Sequence, residues 1–481
     1  MNVIALLAAF ATILSAGFGA LLLLMPDSRR GNFAEQFALS WLCGTGIVSL
    51  FLWTFGFFVR GALLAGFIAI VCIALPLTAW KLTGQSAIHF QSVRWLRPIE
   101  FLLAALLALE IALIFYLAYV HTLGWDGLWN WEIKARYAYS NGGVLPVAYF
   151  QSEGRSFSHP AYPLAIPFTE LWLYLWLGEA NQFWAKTIFP MFYAAGAILL
   201  AALSARLTGR TWIGLIAASL LFFVPQIATE GGSAIVGYAD FPLSVFYLAT
   251  IGYLLCACRS DDEHSFRIYA VCLALLPWVK LEGMILWFIA ALCGVLVIWR
   301  KKKSPVHLFA LLPGLFVIIA WHLYLSQMHV VSSSDFLPVS FATFQANVHR
   351  LGPILSAFFS EVADTKTWSL FWLLVAIGSG YFMRRFRDAR SLVFFIAVLG
   401  PIGIYAFIYI FSNWPDYLKH VDLSVSRLLM HVAPLSCLTV SVALAARWPQ
   451  PARSPHLNLA TCESADRERT PDVEFARTKR A

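Results

Sequence analysis

The sequence predicts an all-α polytopic membrane protein, and three observations predict it. Hydrophobic residues make up 60% of the 481-residue chain and charged residues only 12%, where soluble domains carry about 25% charged residues. Apolar runs of about 20 residues recur along the chain, the length an α-helix needs to cross a bilayer core of about 30 Å. Bases gather in short clusters between these runs: Arg29-Arg30, Arg94 with Arg97, Arg300 to Lys303, and Arg384-Arg385 with Arg387 and Arg390. That is how the cytoplasmic ends of membrane helices are marked. The net charge of +8 is therefore no sign of a nucleic-acid partner.

In chain order, about thirteen spans are expected, at residues 3–25, 36–58, 61–82, 99–120, 184–205, 212–228, 239–258, 266–279, 283–299, 306–326, 368–384, 391–411 and 428–447. The first run has no basic residue before it, which argues against a cleavable signal peptide. The apolar piece 164–178 is short for a span. It holds Pro167 and Glu170 and follows Pro163, and is read as a re-entrant or in-plane segment whose polar groups are buried in protein. With that segment not crossing, the basic clusters all fall on one side and mark it as the inside. The N-terminus is then outside and the C-terminus inside. The loop 121–163, the turns 229–238 and 280–282, the segment 327–367 and the turn 412–427 all face out.

Within 327–367, Phe341, Phe344, Val348, Leu351, Leu355 and Phe358 recur at steps of three and four, one helical stripe. Gly352-Pro353 is expected to break or kink it. The stripe reads as a helix lying in the outer interface or as an ordinary packing helix. The tail, rich in Pro, Arg, Ser and acids, cannot bury a core and reads as disordered. The eight cysteines show no metal-ligand spacing, Cys256 and Cys258 included, and read as small apolar core residues. Three regions are expected: a first group of membrane helices at 1–98, a main membrane domain at 99–447 that carries the outer loop 121–163, and a cytoplasmic tail at 448–481.

Polar chemistry concentrates in the loop from Trp125 to Pro163, which carries Asp126, Glu132, Glu153, Lys134, Arg136, Arg155 and the pair His159-Pro160. Asp126 follows the fourth span in Gly124-Trp125-Asp126-Gly127. It reads as a general base or as the N-cap of a short helix over Leu128 to Ser140. Glu132 either meets substrate or pairs with Arg136 four residues on. Lys134 is placed to meet a lipid phosphate. His159 precedes Pro160 and is expected to be extended, presenting its ring to a site or only stiffening the turn. Asp240 sits at the start of the seventh span, where a carboxylate needs pairing or hydration and where capping is the plain alternative. Lys280, with Glu282 beside it, and Arg427 are bases on the outer side, against the general trend. Holding a phosphate is a reason for them, through a point charge and a bidentate fork respectively. The joint pattern is that of an acceptor deprotonated by a carboxylate while cations hold an anionic leaving group.

These residues carry a resemblance. The run Trp-Asp-Gly-Leu-Trp-Asn-Trp-Glu-Ile-Lys-Ala-Arg at 125–136, Ser158-His159-Pro160-Ala161-Tyr162-Pro163, Tyr-Ala-Asp at 238–240, Lys-Leu-Glu-Gly at 280–283 and Arg-Leu-Leu-Met-His at 427–431 resemble motifs of the GT-C membrane glycosyltransferases. That superfamily includes protein O-mannosyltransferases and aminoarabinose transferases acting on lipid A. The resemblance covers residues 99–447. It departs in having three spans before the helix that normally comes first, and in lacking the second proline often seen after His-Pro. It implies a polyprenyl-phosphate-linked sugar donor and a bacterial plasma-membrane enzyme with its site on the outer face, inverting at the anomeric carbon. On that reading Asp126 is the catalytic base. Glu132, Lys134, His159, Asp240, Lys280, Glu282 and Arg427 contact substrate. Some relatives use a divalent metal, so Mg²⁺ or Mn²⁺ on these acids enters as an option. The alternatives from other classes are a transporter or flippase of a lipid-linked sugar, to which the intramembrane Glu110 draws attention, and an assembly subunit without chemistry.

Overall fold

In a computed structural model, residues 2–25, 32–84, 96–229, 231–260, 262–330, 335–385 and 389–445 are described. Every regular element among them is helical. Among the described residues nine helices are long and apolar enough to cross a membrane: Asn2–Leu24, Phe33–Phe55, Gly61–Thr83, Pro98–Val120, Gln182–Thr208, Asp240–Arg259, Gly283–Arg300, Pro305–Met328 and Arg390–Phe411. The bent pair Tyr417–Met430 and Ala433–Ala445 makes a tenth if counted as one span. The protein is thus a polytopic helical membrane protein. Of the expected spans, 212–228 contains a helix of only 9 residues, Thr211–Ser219. The span 266–279 is a 17-residue helix, Glu263–Val279, and 368–384 holds the apolar helix Phe371–Tyr381.

The membrane reading rests on what the helices expose. The most apolar window of Pro305–Met328 has mean hydropathy 2.1 yet is only 11% buried within the protein. Leu315, Phe316, Ile319 and Leu323 all face outward from it. An apolar face of that extent is stable only against hydrocarbon or a partner. The Asp240–Arg259 window is by contrast wholly buried and runs through the core.

Residues Met1–Arg447 form one compact unit. The first three helices pack on one another and the Phe33–Phe55 helix packs on the Ile188–Thr208 helix. Trp172 donates its indole N–H to Thr12 at 3.0 Å, Trp278 donates to Ser49 at 2.9 Å, and Arg206 pairs with Glu35 at 2.7 Å. Among the described residues, helices before and after residue 98 are thus packed together. The tail, like Arg29, Arg30, Arg94 and Arg387, lies outside the described residues.

The segment 164–178 forms the 13-residue helix Ala165–Leu177, buried at every position from Ala165 to Tyr174. At 1.5 Å per residue it is about 20 Å long, shorter than the hydrocarbon core. The stripe in 341–359 is split differently from the expectation. Helix Phe341–Asn347 passes through a tight turn at Val348–Arg350 into helix Leu351–Ala363. Pro353 thus sits in the first turn of the second helix, where its missing N–H has no intrahelical role, and the break precedes it. All seven cysteines among the described residues are buried and unbridged.

Two ends of the bundle differ in charge. The Asp240–Ser260 and Gly283–Arg300 helices begin beside Lys280 and Glu282 and end in Arg259 and Arg300. At the basic end Arg259 bonds the carbonyl of Arg206, and Lys303 pairs with Glu263 at 3.3 Å. The acids and bases singled out from the sequence cluster at the other end.

Candidate functional site

Asp126 lies inside a helix that starts at Trp125, with φ −65° and ψ −37°, and its side chain caps nothing. The expected single helix over 128–140 is instead a π-helical stretch, Gly127–Glu132, followed by the α-helix Ile133–Ser140. Single π turns within helices recur at functional sites. The turn is pinned from the side by the Ser233–Gly237 segment. Gly124 donates to the carbonyl of Val236 at 2.8 Å, and a Cβ on Gly127 would lie 2.5 Å from that same oxygen. Gly237 supplies the left-handed turn (φ 82°) that returns the chain to Tyr238 and Asp240.

Five separate stretches of sequence then meet. The Arg427 guanidinium forms an ion pair with Asp126 through Nη2 and donates a hydrogen bond to Asp240 through Nε at 3.1 Å. Lys280 Nζ contacts Asp240 at 2.7 Å and Glu282 at 2.9 Å. His431 Nε2 donates to Asp240 at 3.0 Å, and its Nδ1 lies 2.9 Å from the Tyr405 hydroxyl. Asp240 is fully buried and carries three partners. Its position at the N-terminus of the 240–260 helix adds the favourable end of the helix dipole. Burial pulls the Lys280 ammonium down, and the facing carboxylates of Asp240 and Glu282 outweigh it, so the group stays above the ordinary lysine value. Glu282 is the mirror case: burial raises it, but Lys280 holds it below the usual carboxylate range. Lys280 and Asp240 are sealed, whereas the Arg427 side chain keeps 23% of its surface open. The Tyr238 ring lies under that guanidinium at 5.2 Å.

Tyr162 forms the floor between this network and the 125–163 loop. Its ring stacks on His159 at 5.0 Å, lies 5.6 Å from Trp131, and faces Lys134 at 5.7 Å and Lys280 at 6.0 Å. Lys134 is wholly buried and donates to the carbonyls of Asn130 and Ser158, both at 2.7 Å. Burial brings its pKa down to about 7, against the upward pull of Asp126. Two donated bonds are within the reach of a neutral amine, so the contact survives deprotonation. His159 is not extended. It adopts φ 45° and ψ 68°, capping the tight helix Glu153–Ser158. The pre-proline preference is outweighed by two turn hydrogen bonds, His159 N–H to Ser156 and Tyr162 N–H to His159. Burial, then the neighbouring Lys134, lowers the His159 pKa, so its ring is neutral near pH 7.

The structure brings together Asp126, Asp240, Lys280, Glu282 and Arg427, with Lys134 and His159 one ring away. It does not bring in Glu132. That carboxylate holds Arg136 at 2.7 Å and accepts from Tyr174 at 2.7 Å, beside the buried Glu170. Its plain reading as a helical pair with Arg136 accounts for it. Sequence reasoning left out three members of the site: His431, Tyr405 and Tyr162. The i, i+4 spacing of Arg427 and His431 puts both on one helical face and was a usable signal for His431. Tyr405 lies within an apolar span, and no local pattern marks it.

The acids do not suit Mg²⁺ or Mn²⁺. Among the described residues no group of three or more His, Cys, Asp or Glu side chains is placed to hold a metal ion. Both oxygens of Asp240 are already taken by Lys280, His431 and Arg427.

Comparison with known proteins finds no matching family model, no matching curated protein and no matching solved structure.

Proposed function

We propose that the protein is a glycosyltransferase with a GT-C-like fold, moving a sugar from a polyprenyl-phosphate donor to an acceptor hydroxyl with inversion. We place the reaction at the outer face of a bacterial plasma membrane. The observation that carries this reading is the contact between Asp126 and Arg427. It joins a carboxylate able to take the acceptor proton to an open cation able to hold the donor phosphate, at the end of the bundle opposite the basic clusters. In the reaction the acceptor oxygen attacks the anomeric carbon as Asp126 removes its proton. The C–O bond to phosphate breaks, and the departing phosphate gains charge that Arg427 stabilises. Lys280 has a different part. It is sealed between Asp240 and Glu282, so it fixes Asp240, and Asp240 in turn aims Arg427.

An apolar cavity supports a lipid donor. It holds about 450 Å³ and is lined by Phe358, Phe359, Trp372, Phe394, Phe395 and Ala406, among others. Ala406 sits on the Ala389–Ile408 helix, whose neighbouring Tyr405 binds His431 in the charged cluster. A chain lying in the cavity would thus touch the helix whose Tyr405 is tied to the charged cluster through His431.

The test is release of polyprenyl phosphate from polyprenyl-phosphate sugars by the purified protein in lipid nanodiscs, with Asp126→Asn as control. Bond formation that depends on Asp126 is the expected result. Flux of the labelled lipid-linked sugar across vesicles, with no glycosidic bond formed, would assign transport instead.

A further inference from the structure

A second polar site lies in the helix layer, apart from the charged cluster. Glu110 sits midway along Pro98–Val120, about 15 Å along the helix from its end at Val120. It is 2% exposed, and neither carboxyl oxygen has a hydrogen-bond partner. Two other buried groups beside it are equally unsatisfied: the hydroxyl of Tyr193, on Ile188–Thr208, and that of Ser219, which ends Thr211–Ser219. Those two helices both pack against Pro98–Val120. Three orphaned polar groups from three helices, converging in an apolar layer, call for a water or an ion.

The backbone at the same place supplies an independent observation. The expected span 212–228 stops being α-helical at Ser219. From there the amides bond three residues back: Leu221 to Ala218, Phe222 to Ser219 and Phe223 to Leu220. Interrupted helices inside a membrane layer are tolerated where they line a site. The C-terminal end of the 211–219 helix carries partial negative charge and lies against Glu110. A bare carboxylate there meets both an apolar medium and the wrong end of a dipole.

We propose that Glu110, Ser219 and Tyr193 form a binding site for one monovalent cation, a proton or a sodium ion, with Glu110 as the countercharge. A single carboxylate with two hydroxyls and a helix C-terminus matches one positive charge, and the absence of a second acid argues against a divalent ion. The titratable groups around it are few. Tyr193 faces it from Ile188–Thr208, and Cys437 lies beyond Tyr193. Thr211–Ser219 and the Ser233–Val236 turn carry no charged side chain. Lys186 is at the end of the helix layer, bonded to the carbonyls of Tyr119 and His121. The site therefore has no built-in cation.

The experiment is labelling by the membrane-soluble carboxyl reagent dicyclohexylcarbodiimide, which attacks protonated carboxyls, read by peptide mass spectrometry on the full chain in nanodiscs. Sodium is exchanged for N-methylglucamine at constant ionic strength, and pH is varied. An ordinary glutamate, with a pKa of about 4.3, is ionised at neutral pH. Glu110 is expected to be labelled there. Labelling that falls as pH rises and ignores sodium identifies a proton as the occupant. Labelling suppressed several-fold by sodium at fixed pH identifies the metal ion. Ser219→Ala is expected to shift either midpoint, and Glu110→Gln to lose the label while polyprenyl phosphate still binds at Arg427. No labelling of Glu110 at any pH, or labelling indifferent to both pH and sodium, overturns the proposal. Neither outcome depends on glycosyl transfer.

Discussion

Asp126→Asn separates the two roles assigned to the Asp126–Arg427 contact. In the resting protein the Arg427 charge is paired with both Asp126 and Asp240. Three carboxylates (Asp126, Asp240, Glu282) face two fixed cations (Lys280, Arg427), leaving one net negative charge where an anion must dock. Asparagine removes that charge and keeps the shape. Two unit charges 4 Å apart interact by about 4 kcal/mol at an effective dielectric of 20. Arg427 is partly open, so screening reduces this. A gain of about 1.4 kcal/mol for an incoming phosphate is a reasonable scale, which is about tenfold in Kd. Loss of the base should lower turnover by roughly 10²–10⁴-fold. Fold stability should fall by only about 1–2 kcal/mol, because Arg427 keeps Asp240. The assays are calorimetric or fluorescence binding of polyprenyl phosphate, single-turnover sugar transfer, and thermal unfolding in detergent. A variant that binds tighter and turns over slower is expected. Unchanged turnover would refute Asp126 as base, and unchanged or weaker phosphate binding would refute its competition for Arg427.

Asp240→Asn should behave in the opposite way, because it leaves the sealed Lys280 without its main countercharge. Breaking a buried pair from one side costs about 3–5 kcal/mol, so thermal unfolding should show a large loss of stability before any effect on binding can be read. Gly127→Ala drives a Cβ to 2.5 Å from the Val236 carbonyl. Overpacking of this kind costs about 1–3 kcal/mol, and activity should fall with it, as thermal unfolding and transfer assays on the same preparation would show. Lys134 gives a pH signature. Its folded pKa, about 7, lies below the unfolded value of about 10.4, so the unfolded chain binds more protons between those values. Stability should therefore rise with pH from about 7 toward 10. In Lys134→Met, melting curves across that window should lose this rise, and a wild-type protein whose stability falls there would contradict the burial argument.

Composition and periodicity were enough to read the helices, since a span is a local property of about 20 residues. The nine long helices fall close to nine of the expected spans for that reason. Three other stretches resisted. Residues 212–228, 368–384 and 428–447 are apolar enough by sequence, but hydropathy does not report where a helix bends or tightens within such a run, whereas 266–279 lies within the continuous helix Glu263–Val279. His159 failed for a similar reason: the steric preference before proline is real, but the hydrogen bonds of the surrounding turn outweigh it. The Asp126 alternatives were also beyond local reading. A cap and a buried ion pair have the same sequence, and only the backbone angles and the arrival of Arg427 separate them.

The sequence by itself determined that this chain belongs in a membrane, which stretches are helical, and that its unusual acids and bases lie between spans at one end. It also named Asp126, Asp240, Lys280, Glu282 and Arg427. The tertiary structure decided their relations: Asp240 at the centre, Lys280 sealed, Arg427 open, Tyr405 and His431 recruited, and Glu132 turned to Arg136 and Tyr174. Charge type and spacing are written locally, whereas pairing and exposure depend on which residues, nearly two hundred positions apart, are packed within 3.1 Å of one another.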